Sequence, residues 1–166
     1  MNFLKNNFKN GIICKLKIYF GENMEKNKKK LDHLNELQYK VTQENFTEPP
    51  FDNLYNDNYE EGVYVDIIDG TPLFLSSTKY NSGSGWPSFW KPLNEDSVVE
   101  VLDFSHSMTR VEVRSKNADS HLGHVFNDGP KEQGGRRYCI NSAALKFIPK
   151  NELKNNNLEH LLKYFD

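Results

Sequence analysis

The sequence predicts a mainly β domain built from antiparallel sheets, and three observations carry that prediction. Short runs rich in β-branched and aromatic residues recur between Gly62 and Asn141, each bounded by Gly, Pro, Asn or Asp. No long helical pattern lies between them, so the crossover helices that a parallel sheet needs are missing. The chain has 166 residues, 37% of them hydrophobic and 13% aromatic, which is enough for one packed core, and it contains no internal repeat.

In chain order, residues 1–30 are rich in Asn and Lys, lack an acidic residue before Glu22 and end in the basic run 26–30. Their apolar piece, 11–20, is interrupted by Lys15 and Lys17, which argues against a secretory signal. Two readings stay open for 1–30: an organellar presequence, although arginine is lacking, or a disordered extension. Leu31, Leu34, Leu37 and Val41 have helical spacing, and the paired prolines of TEPPF (47–51) are expected to end that short helix. The strand candidates are GVYVDIIDG (62–70), PLFLSS (72–77), VVEVLDF (98–104), TRVEVRS (109–115), HLGHVF (121–126) and RYCIN (137–141). Leu158, Leu161, Leu162 and Phe165 again have helical spacing, so 150–166 is expected to be a tail or a short docking helix. The folded domain is therefore expected over 31–149.

Bulk properties exclude several classes. A net charge of −2 leaves no concentrated cationic surface for DNA or RNA. No stretch approaches the roughly 20 apolar residues that span a bilayer, so no membrane partner is expected. The two cysteines, Cys14 and Cys139, supply neither a disulfide framework nor a four-thiolate zinc site.

Three clusters can carry chemistry. In SGSGWPSFW (82–90) the glycines permit sharp turns and Pro87 fixes the chain after Trp86, holding an indole at a surface; a plain core role for Trp86, Phe89 and Trp90 is the competing reading. In DSHLGHVFNDGP (119–130), His121 and His124 would point to opposite faces of a regular strand, but a turn at Gly123 brings both to one side. They are candidates for proton transfer near neutral pH, against a metal site with Asp128 or ordinary structural histidines. In GGRRYCIN, Cys139 stands beside Arg136, Arg137, Asn141 and Ser142, a polar and cationic setting expected to favour the thiolate; an inert buried cysteine is the alternative.

Taken together, TEPPF, PLFLSS, SGSGWPSFWKP, RVEVRSKNADSHLGHVFNDGP and GGRRYCINSAALKFIP resemble, in order, the methionine-R-sulfoxide reductases, the methionine sulfoxide reductase B family, over residues 31–149. The resemblance implies a β-tent-like pair of antiparallel sheets with short N-terminal and peripheral helices. It implies Cys139 as the nucleophile that becomes a sulfenic acid, His121 and His124 as the pair that binds and protonates the sulfoxide oxygen, and Trp86 as the surface for the substrate methyl group. Arg137, Asn141, Asp128 and Phe126 match pocket residues, Arg137 favouring the thiolate and Asn141 orienting the bound group. Implied partners are oxidised proteins containing methionine-R-sulfoxide and a thiol reductant, namely thioredoxin, glutaredoxin or a small thiol. A monomer is expected, in the cytoplasm, or in a mitochondrion or plastid if 1–30 act as a presequence.

Two departures from the family pattern matter. Where many members hold zinc with two Cys-x-x-Cys pairs, this chain has Asp66, Asp69, Ser115 and Ala118, so no zinc is expected. Where many relatives have a resolving cysteine, this chain has Ser84, so the sulfenic acid is expected to meet an external thiol, with Cys14 as a distant alternative resolver. Two other functions compete: a cysteine hydrolase, which would turn over without reductant, and a non-catalytic β-rich binding module.

Overall fold

The computed structural model describes residues 31–165; the leader and Cys14 lie outside the described residues. The sheets are antiparallel, as the alternation of short strands and turns requires. The first has the order β2-β1-β9, formed by β1 Gly62–Asp66, β2 Pro72–Leu75 and β9 Leu145–Pro149. The second has the order β3-β4-β8-β7-β6-β5, formed by β3 Lys79–Tyr80, β4 Ser88–Phe89, β5 Val98–Asp103, β6 Arg110–Ser115, β7 His121–Phe126 and β8 Arg137–Ile140. Six of these strands coincide with the sequence runs. The remaining three, β3, β4 and β9, do not appear in that reading.

Strand alternation assigns each sheet its layer. In β1, Tyr64 faces the larger core with Leu73, Phe74, Phe89, Leu122, Val125, Tyr138 and Ile140, whereas Val63 and Val65 face a second core with Leu75, Ile148, Leu153 and Leu161. The two sheets meet through aromatic rings: Phe74 stacks on Phe89 with centroids 4.5 Å apart, and Tyr64 meets Phe89 edge-on at 5.1 Å. Tyr138 and Ile140 thus point into the core. Cys139, between them, points to the opposite face of the six-stranded sheet.

The helix α1 Glu36–Glu44 starts at a capping box between Asn35 and Gln38. It ends because Asn45 adopts the left-handed conformation and Phe46 N–H reaches back to Lys40 C=O. The prolines expected to stop it come later, in the extended segment beyond. In the tail, 150–152, 154–156 and 159–164 form successive 3-10 turns. Asn157, left-handed at φ 58°, interrupts the pattern, and Leu153 and Leu161 dock into the second core.

Candidate active site

The site is assembled by register. Ser88 of β4, Cys139 of β8, His124 of β7 and Glu112 of β6 are successive cross-strand partners, so their side chains share the outer face of the six-stranded sheet. His121 joins them through a β-bulge. Val113 pairs with Gly123 but the next residue, Arg114, pairs with His121, which leaves Leu122 as the extra residue. That residue turns what would be opposite faces into one, and the imidazole centroids stand 5.5 Å apart. Gly123 is required there for close approach, because a Cβ would run into the Cys139 carbonyl oxygen.

A cavity of about 150 Å³ opens over this row, lined by Thr47, Trp86, Arg110, Gly123, His124, Phe126, Cys139 and Asn141. Trp86 and Phe126 make it apolar on its walls. Trp86 is half-buried, its Nε1–H donating to the Glu48 carbonyl at 3.0 Å. Phe89 belongs to the core and Trp90 carries the Lys91 ammonium 4.7 Å from its ring centroid, so the three aromatics of the 82–90 cluster divide between the two readings. Asn141 is buried with both ends of its amide engaged: Oδ1 accepts from Glu48 N–H at 3.1 Å and Nδ2 donates to Leu122 C=O at 3.0 Å.

Cys139 is partly buried, and its Sγ lies 3.8 Å from Ser84 Oγ. Ser84 belongs to a hydroxyl cluster, 2.9 Å from Ser82 Oγ and 3.4 Å from Ser88 Oγ. The expected thiolate is corrected here. Burial pushes the thiol pKa up, outweighing the Ser84 hydrogen bond and the Arg137 charge that pull it down. Arg137 is held in a bidentate pair with Asp128, at 2.8 and 2.9 Å, over the Phe126 ring. Asp128 therefore pairs with Arg137 rather than with the histidines.

The two histidines have different neighbours. His121 is 1% exposed; its Nδ1 is 2.6 Å from Glu112 Oε1, and its buried Nε2 has no hydrogen-bond partner among the described residues. Burial lowers its pKa from 6.5 more than the Glu112 contact raises it. His124 instead places Nε2 2.8 Å from Asp103 Oδ2, and that same oxygen accepts from Arg110 at 2.8 Å. Hydrogen bonds from Ser105, then from His124, hold the Asp103 carboxyl well below the usual carboxylate range.

Glu48, Asp103, Arg110 and Glu112 are absent from the sequence reading of the site. The available signal was a charge on an otherwise β-branched strand, as at Glu112 in RVEVRS. The most consequential is Glu48, whose carboxylate accepts from the Ser142 and Ala143 N–H groups just after Cys139.

At the four positions where zinc-binding relatives carry thiolates, Asp66 is already bonded. Its Oδ2 accepts from the Ser120 hydroxyl and its Oδ1 from Ile68 N–H at 2.7 Å, while Asp69 accepts from Thr71 N–H and Ala118 offers no donor atom. Among the described residues, no three His, Cys, Asp or Glu side chains gather as a metal site.

Fold and pocket together describe a β-rich domain organised around one thiol with carboxylate-held histidines. The SelR domain family matches residues 34–149. A peptide methionine sulfoxide reductase MsrB of Staphylococcus haemolyticus is 54% identical over 139 residues, covering 84% of this chain and 98% of that protein. One of the same name from Staphylococcus saprophyticus is 55% identical over an equal span. The chain belongs to the SelR-domain family, the methionine sulfoxide reductases of type B.

Proposed function

We propose that this chain reduces methionine-R-sulfoxide, in proteins and as a free residue, with Cys139 as nucleophile. The observation that carries the reading is a thiol and two histidines on one sheet face, opening on a small cavity walled by Trp86 and Phe126. Such a cavity suits the terminal CH₃–S(O)–CH₂ group: the aromatic faces take the methyl and the polar side takes the oxygen. Cys139 sulfur attacks the sulfoxide sulfur as the oxygen is protonated. The oxygen is then transferred, so Cys139 becomes a sulfenic acid and methionine leaves; the cysteine sulfur loses the two electrons that the methionine sulfur gains. Two equivalents of thiol afterwards reduce the sulfenic acid, releasing water.

Ser84 occupies the place from which a resolving thiol would act, 3.8 Å from Cys139, and a hydroxyl cannot form the disulfide. We therefore favour direct reduction by thioredoxin, glutaredoxin or a small thiol over resolution by Cys14. The enzyme acts as a monomer and without zinc, the Asp66–Ser120 link joining the two turns that zinc joins in other members. Stoichiometric zinc bound between those turns in the purified protein would end the zinc-free part.

The deciding experiment supplies dithiothreitol and each pure epimer of a blocked methionine sulfoxide to the wild type and to Cys139→Ser. Consumption of the R epimer by the wild type alone is expected. Equal activity of the two proteins, or preference for the S epimer, would overturn the reading, and turnover of an ester without reductant would favour a hydrolase.

A further inference from the structure

We infer that Asp103 is a positioning residue: it holds His124 through Nε2, so that Nδ1 is the nitrogen offered to the pocket and the atom through which the reaction's proton passes. The inference rests on the sulfoxide reductase reading and goes beyond it by separating the two histidines. His124 lines the cavity and His121 does not. Asp103 Oδ2 lies 2.8 Å from His124 Nε2. Ionised, it can only accept, so in the neutral ring the proton resides on Nε2 and the lone pair on Nδ1. Nδ1 makes no hydrogen bond to the described residues. His121 is committed in the opposite sense, through Nδ1 to Glu112, and stands behind its neighbour.

The carboxylate is itself anchored, accepting from Ser105 N–H at 2.8 Å and from Arg110 at 2.8 Å. The charged and titratable groups around His124 are Asp103 from β5, Arg110 and Glu112 from β6, His121 on its own strand, and Cys139 directly opposite on β8. Only Asp103 touches its ring through a hydrogen bond.

The proton balance follows. The thiol proton of Cys139 moves to Nδ1 and from there to the sulfoxide oxygen. That oxygen, now carrying the proton, leaves the methionine sulfur for the Cys139 sulfur, and the ring returns to its Nε2–H form. One proton thus circulates within the site, with none drawn from solvent. This is the logic by which a carboxylate orients a histidine beside a nucleophile, applied to a thiol that burial keeps protonated.

The test measures the single-turnover rate of Cys139 oxidation and the affinity for the R-sulfoxide, with ¹⁵N NMR of the His124 ring. Asp103→Ala is expected to lower the rate by about 10²–10³-fold with affinity within about threefold, and to shift the ring from a pure Nε2–H form to a tautomer mixture. Asp103→Asn, whose amide oxygen can still accept, is expected to fall between. Ser105→Ala, which removes a side-chain bond to the carboxylate but leaves Asp103 in place, is expected to fall between wild type and Asp103→Ala in rate and to keep the Nε2–H form dominant. The inference is overturned if Asp103→Ala keeps both rate and tautomer, or if it loses rate while the His124 ring stays in the pure Nε2–H form. An inactive wild type would instead strike the function itself, so the two failures are distinguishable.

Discussion

Glu48 offers a sharp test of how the site is held, through the substitution Glu48→Gln. Its carboxylate, 2% exposed, accepts one backbone N–H with each oxygen, from Ser142 and from Ala143. Its N–H and C=O meanwhile bind Asn141 and Trp86. A glutamine keeps the shape but turns one acceptor into a donor aimed at a backbone N–H. One charge-assisted hydrogen bond is lost, about 1.5–3 kcal/mol, and a buried N–H is left unpaired, about 1–3 kcal/mol. Relief from burying a charge offsets part of this, because burial already pushes the Glu48 pKa up. Roughly 2–4 kcal/mol remains, and for a domain of this size that corresponds to a fall in melting temperature of roughly 8–15 °C. Thermal unfolding followed by circular dichroism at neutral pH is the assay, with Trp fluorescence reporting whether the indole loses its anchor. A shift below 2 °C would refute the claim that this carboxylate ties the N-terminal segment to the turn after Cys139.

Ser84→Cys should place a second thiol beside Cys139; after one equivalent of R-sulfoxide the variant should be 2 Da lighter than its reduced form, and a persistent sulfenic acid identical to wild type would count against the 3.8 Å neighbour relation. Gly123→Ala drives a methyl into the Cys139 carbonyl and should cost about 2–3 kcal/mol, with single-turnover rate falling more than stability; a fully active variant would show that β7 and β8 need not approach so closely. Asp66 has its pKa raised from 3.8, chiefly by burial, so its folded form binds a proton more readily than its unfolded form. Wild-type stability from this group is therefore lost as pH rises from about 4 through the folded pKa. Asp66→Asn escapes that loss, and its melting temperature relative to wild type should improve between pH 4.5 and pH 8; a melting temperature that falls relative to wild type over that range would contradict the sign.

The strands that could be read in the sequence were those with four or more residues of β-branched or aromatic character. Strand β4 has two residues, Ser88 and Phe89, placed just after a proline, and it exists because β3 and β8 offer hydrogen-bonding partners on either side. No local preference announces such a strand. β9 was hidden differently, since LKFIP follows a polar turn and ends in proline, and its place is fixed by pairing along the whole of β1. In the tail, leucines at helical spacing suit an α-helix and successive 3-10 turns alike, and left-handed Asn157 breaks the segment into the latter.

At the site, Trp86, His124, Phe126, Cys139 and Asn141 were legible because family motifs carry them, and the cavity brings these five together. Asp103, Glu112 and Glu48 were not, since their partners lie 21, 9 and 94 residues away in sequence. The arginines beside Cys139 are visible in the sequence by adjacency alone. That Asp128 claims Arg137, and that burial outweighs its charge, follows only from tertiary packing.

The raised pKa of Cys139 has a bearing on survival under the conditions in which such a repair enzyme is needed. Peroxide reacts with thiolates, and it reacts with them wherever they are exposed. A sulfur kept protonated and partly enclosed is a poor target for a freely diffusing oxidant, yet it becomes a nucleophile when a bound sulfoxide supplies an acceptor for its proton.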